Sequence, residues 1–84
     1  MTDKEAEVYK SCLWKKTTVD ELEAKKIVRK SNECWQALKS RMTEGDEIWQ
    51  YTSPAEDWAN LVGEAGIALV RNGEIAEIMM TLHN

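Results

Sequence analysis

The pair Asn72-Gly73 constrains this chain more than any other feature. It stands between two apolar runs, Gly66-Ile-Ala-Leu-Val-Arg71 and Glu74-Ile-Ala-Glu-Ile-Met-Met-Thr-Leu82. Both residues tolerate the positive φ angles of a type I′ turn, so the stretch predicts a two-residue β-hairpin. A two-residue loop sets the register. Arg71 should face Glu74 at an exposed tip, Leu69 should face Ala76, and Ile67 should face Ile78. Because side chains alternate across a strand, Ile67, Leu69, Ala76, Ile78, Met80 and Leu82 then form one face. Gly66, Ala68, Val70, Ile75, Glu77, Met79 and Thr81 form the other.

The segments before the hairpin supply a third strand and a helical cover. Glu47–Thr52 alternates in the strand manner, with Trp49 and Tyr51 on one face and Ile48 and Gln50 on the other. Thr18-Val-Asp-Glu21 has the form of a capping box and opens a helix predicted from about residue 19 to about residue 42. Ile27, Ser31, Cys34, Trp35, Leu38 and Met42 recur there at helical spacing, widened by Ala24 and Val28, and Gly45 ends the pattern. Ser53-Pro54-Ala-Glu56 reads as a second capping box, opening a short helix with Trp58, Leu61 and Val62 inward and Gly63 as its C-cap. Residues 3–14 fit a weak helix, while Val8–Trp14 also fits a strand. The fold expected is α+β: a single domain, 1–84, with one or two N-terminal helices on one face of a three-stranded β-α-β-β sheet. The place of the Glu47–Thr52 strand in the sheet order stays open.

Composition narrows the class. With 43% hydrophobic and 31% charged residues, the chain reads as globular, not disordered. No signal peptide is recognisable and the longest apolar run, Ile67–Val70, is far too short to span a bilayer, so a cytoplasmic address is expected. Cys12 and Cys34 lack metal or redox spacing and read as reduced thiols. Residues 1–42 carry ten basic and seven acidic side chains; residues 43–84 carry eight acids and only Arg71. An acidic half repels phosphate backbones, which argues against nucleic acid as a partner. The basic residues Lys25, Lys26, Arg29, Lys30, Lys39 and Arg41 fit a solvated helix face, or a surface for an acidic partner.

Catalytic chemistry is poorly supplied. His83, the only histidine, is the penultimate residue, and the pairs Asp46-Glu47 and Glu56-Asp57 sit where acids cap helices and strands. Gly63-Glu-Ala-Gly66 is not a dinucleotide fingerprint. Neither a cofactor nor a metal is expected. Four tryptophans in 84 residues, with no phenylalanine, are the most unusual feature. Trp35 belongs on the helix stripe. Nothing in the sequence evidently covers the second sheet face, so Trp49, Tyr51, Trp58, Val70, Ile75 and Met79 form a candidate partner surface.

The second half resembles a group of small bacterial proteins to which no biochemical function is attached. The resemblance rests on Asp46-Glu47-Ile48-Trp49, Tyr51, Ser53-Pro54, Trp58, Leu61, Gly63, Gly66, Leu69-Val70-Arg71 and Gly73. It covers about half the chain and implies a compact bacterial domain, with no catalytic residue and no cofactor. The function expected is a non-enzymatic protein-interaction module, acting as a homodimer or with a protein partner. A small-molecule binder with a tryptophan-lined pocket between helix and sheet is the alternative, and an enzyme sharing residues across a dimer comes third.

Overall fold

A computed structural model describes residues 2–83. Its elements run α1 (Asp3–Ser11), β1 (Leu13–Thr17), α2 (Val19–Ala24), α3 (Glu33–Ser40), β2 (Glu47–Thr52), α4 (Ala55–Ala59), β3 (Glu64–Arg71) and β4 (Glu74–His83). The class is α+β as expected, but the sheet has four antiparallel strands, in the order β1-β2-β3-β4, where three were expected. The additional strand is β1, Leu-Trp-Lys-Lys-Thr, which pairs with β2 around an irregularity at Trp14. Its two lysines and its bulge suit an edge position, where they discourage further strand pairing. Among the described residues no helix is long and apolar enough to cross a membrane.

The single long helix is a correction. The chain leaves the helical path after α2 and resumes it at α3, because Lys26 adopts φ 58°. Ile27 N–H donates to Leu22 O at 3.0 Å and Lys26 N–H to Glu23 O at 3.1 Å. This is a Schellman turn with lysine at the left-handed position that glycine usually takes. Asn32 then caps α3, its side chain accepting from Trp35 N–H at 3.0 Å. The Thr18 cap is present, with its hydroxyl accepting from Glu21 N–H at 3.1 Å. The Glu21 carboxylate, however, binds Lys25, Thr17 and Lys15 instead of closing the box. Those partners, Lys25 foremost, lower its pKa to about 2.

Both sheet faces are covered, which corrects the bare second face. On one, Leu22, Val28, Trp35 and Leu38 from the α2–α3 layer bury Ile48, Ile67 and Leu69. Trp35 is fully buried, its ring N–H donating to Glu23 at 2.8 Å and Lys39 lying 5.5 Å above the ring. On the other face, Tyr9 of α1 and its C-cap Cys12, with Leu13, pack on Tyr51, Ala68 and Val70. Lys10 pairs with Glu74 at 3.8 Å and ties α1 to the hairpin.

The turn itself is as expected, with Asn72 at φ 53° and Gly73 at φ 78°, and Arg71 opposite Glu74. Beyond Val70↔Ile75 the ladder slips by one residue, so that Leu69 faces Glu77 and Ile67 faces Met79 instead of Ile78. Ala76 is the inserted residue of a β-bulge. One inserted residue exchanges faces downstream: Met79 joins the α2–α3 core and Ile78 the α1 side. The expected Arg71–Glu74 side-chain pair is also replaced. Arg71 forms a two-pronged bond with Asp46 at 3.0 and 2.9 Å, and the Asp46 side chain is 1% exposed. Arg71 first, and Thr43 N–H second, hold the Asp46 carboxyl well below the usual carboxylate range.

Candidate functional site

The sheet end where β2 stops and β3 starts carries a polar cluster unlike the rest of the core. Ser53 N–H donates to Glu64 O at 2.9 Å and Glu64 N–H donates to Ser53 Oγ at 3.0 Å, which closes this end of the ladder. Tyr51 projects from β2 toward α1. Its hydroxyl donates to Glu64 Oε2 at 2.8 Å, and the Tyr9 hydroxyl reaches the same oxygen at 3.4 Å. The two rings meet edge to face, 5.2 Å apart at 83°. Gly66 makes this possible. A Cβ there would lie 2.1 Å from Met79 O and 2.9 Å from Tyr51 Cε2, so only glycine lets the Tyr51 ring lie across β3.

Burial, and then the neighbouring Glu64 carboxylate, push both phenols above their ordinary value, Tyr51 far above it. At neutral pH the pair is therefore a fixed set of two O–H donors aimed at one carboxylate.

Above this floor opens a recess of about 530 Å³, bounded by α1 and α4. Carboxylates of Glu5, Glu56, Asp57 and Glu64 line it together with a single base, Lys4. Val8 and Val62 form apolar walls and remain 56% and 68% exposed. The acids are spread around the opening. Among the described residues no three His, Cys, Asp or Glu side chains form a metal-binding group. Such an arrangement suits an extended cationic ligand better than a point cation.

The rim at α4 departs from the expected chemistry. Pro54, not Ser53, is the N-cap and offers no side-chain bond, because Ser53 is engaged with β3. The helix ends in a second Schellman turn, with Leu61 N–H donating to Trp58 O at 3.2 Å and Val62 N–H to Asp57 O at 2.9 Å. Leu61, at φ 62°, takes the left-handed position assigned to Gly63 by the sequence pattern. Gly63 is instead covered by Trp58, where a Cβ would lie 2.5 Å from the indole. A bulky residue in the left-handed region is strained, and here it stands 72% exposed beside the recess.

The residues expected to form a partner surface do not form one patch. Tyr51 is buried as the recess floor, and Val70 is buried beneath α1. Trp49 and Ile75 are half-buried on that same face, with the Trp49 ring N–H donating to Glu47 at 3.0 Å. Met79 lies on the opposite face, and Trp58 donates to Thr52 at 3.2 Å beside the recess. The expected tryptophan-lined pocket between helix and sheet is not what opens here, since this recess is lined by tyrosines. Leu61 and Val62, expected to face inward, are instead exposed, because the chain turns out of α4 at Leu61. The roles of Tyr9, Val8, Val62 and Glu64 in the recess were missed, since only tertiary packing brings them together. The nearest sequence signal was the acidic pair Glu56-Asp57 next to an aromatic-bearing strand. Comparison with protein-family models, curated proteins and solved structures gives no match.

Proposed function

We propose that the protein is a non-enzymatic interaction module whose recess between α1 and α4 receives a basic, apolar-bearing segment, from a partner protein or from another copy of the chain. The observation that carries this reading is the coincidence, in one opening, of four carboxylates with the exposed side chains of Val8 and Val62. Exposed apolar side chains rimmed by charge are the composition of docking surfaces. Opposite charge on a partner speeds and orients its encounter. The strained, exposed Leu61 points the same way, because strain of this kind is retained where a local shape is used.

Titration calorimetry with a short Lys/Arg-rich peptide bearing one isoleucine tests the proposal. The wild-type chain should bind it, and Glu56→Lys/Asp57→Lys should weaken binding at least about tenfold, as expected when close charge pairs are reversed. Equal binding by the two proteins would refute it.

A second reading, a small-molecule binder, is favoured by the recess volume, which lies in the usual range for ligand sites. The ligand would be an organic cation set against Tyr9 and the Glu64 carboxylate. Saturable binding of a free alkylamine, without binding of the peptide, would select it.

A further inference from the structure

The chain carries a segment complementary to its own recess. Between α2 and α3 the residues Lys25-Lys-Ile-Val-Arg-Lys30 form a loop with an apolar centre and four basic side chains. The loop is shaped in advance. The Schellman turn fixes Lys26, and Val28 is 5% exposed and anchored in the core with Leu22 and Trp35. Ile27 points outward, 37% exposed. Lys25 is engaged by Glu21 at 2.8 Å, whereas Lys26, Arg29 and Lys30 stand exposed, with no ion pair among the described residues.

We infer that this basic loop of one copy occupies the α1–α4 recess of another, so that the chain associates with itself head to tail. The inference rests on the proposed role of the recess and names its occupant. Charge and apolar content both match. Lys26, Arg29 and Lys30 meet Glu5, Glu56 and Asp57, while Ile27 meets the apolar walls of Val8 and Val62.

The contact is between molecules. The loop is anchored in the layer on one side of the sheet, and the recess is floored by Tyr9 and Tyr51 on the other. A contact between two unlike patches on opposite faces is heterologous. Such a contact builds a ring where its rotation closes and an open chain where it does not, so the mass rises with concentration in either case. Because exposed charges carry it, salt disperses it.

The test is light scattering across a concentration series at about 0.05 M and about 1 M salt, where the screening length falls from more than 10 Å to about 3 Å. The mass should rise above the 9.6 kDa of one chain at low salt and return to it at high salt. Two charge-reversed proteins complete the test: Lys26→Glu/Arg29→Glu/Lys30→Glu, and Glu56→Lys/Asp57→Lys. Each alone should remain at one chain's mass. Mixed in equal amounts they should associate again, since the acidic loop of one then faces the basic recess of the other. A wild-type protein that stays monomeric at low salt, or a mixture that fails to associate, overturns the inference. A synthetic peptide of residues 24–31 separates the two levels. Peptide binding by a monomeric wild-type chain overturns self-association and leaves the recess as an interaction site. If the peptide does not bind either, both fall.

Discussion

The two faces of the sheet solve different problems. The α2–α3 face is closed at its centre: Leu22, Trp35, Ile67 and Leu69 are fully buried, the ring N–H of Trp35 is satisfied by Glu23, and smaller recesses open only at the margins. The α1 face is closed only over Val70 and Ala68. Toward the β2–β3 end its packing becomes phenol against carboxylate and opens into a recess. Apolar burial contributes roughly 25 cal/mol per Å², so the first face holds most of the stability. The second exchanges some of that for an exposed surface of fixed shape and charge.

The largest effect expected on this contrast comes from Trp35→Ala. It leaves a cavity on the closed face and removes the donor to Glu23, and should lower unfolding stability by about 3–5 kcal/mol in urea titration. A loss no greater than that of the tyrosine change described next would break the comparison. Tyr51→Phe on the open face removes only a hydroxyl hydrogen bond to a carboxylate and should cost about 1–2 kcal/mol.

The same tyrosines set an alkaline limit. Their folded pKa values lie above the ordinary 10.0. The neutral phenols are therefore favoured in the folded state, and their contribution is complete below pH 10.0 and lost as pH rises through the folded values. Tyr9 and Tyr51 are the only tyrosines in the chain. Tyrosinate absorbance should accordingly appear together with loss of circular dichroism. Free titration of both phenols near pH 10.0 in a folded protein would show that the cluster is loose.

The smallest effect expected is of opposite sign. Leu61→Gly relieves the left-handed strain, offset in part by the entropy of glycine, and should stabilise by about 0.5–1 kcal/mol. In the same protein, binding of the basic peptide should weaken. A gain in stability with binding unchanged would uncouple the strain from the recess.

The closed face was largely legible in the sequence and the open one was not. The Asn72-Gly73 turn, the Thr18 cap, and the division of Trp49 and Tyr51 from Ile48 and Gln50 all follow from local chemistry. Trp35 and Leu38 stand on a helical stripe, and the stripe is real. Its continuity from residue 19 to residue 42 was not, because Lys26 takes a conformation that its side chain does not advertise. Leu61 misled in the same way. A left-handed residue is signalled by glycine or asparagine, and neither stands at those two positions. The fourth strand was hidden by Lys15 and Lys16, which suit an edge as well as they suit a break in a helix. The recess draws on α1, β2, α4 and β3, and no spacing along the chain encodes that meeting.

The bulge at Ala76 divides β4 into two segments that answer to opposite layers. Before it, Ile75 belongs to the α1 side; after it, the residues serving that side are offset by one position. A scan of polar substitutions along β4 should thus show an alternation of tolerance that jumps phase between Ile75 and Glu77, and again at Thr81, where the ladder slips a second time between Gly66↔Met80 and Ala65↔Leu82. Deleting Ala76 would remove the first of these jumps and turn Met79 away from the core it now packs against. The length of this strand, counted to one residue, is thereby as much a part of the fold's specification as the identity of the residues in it.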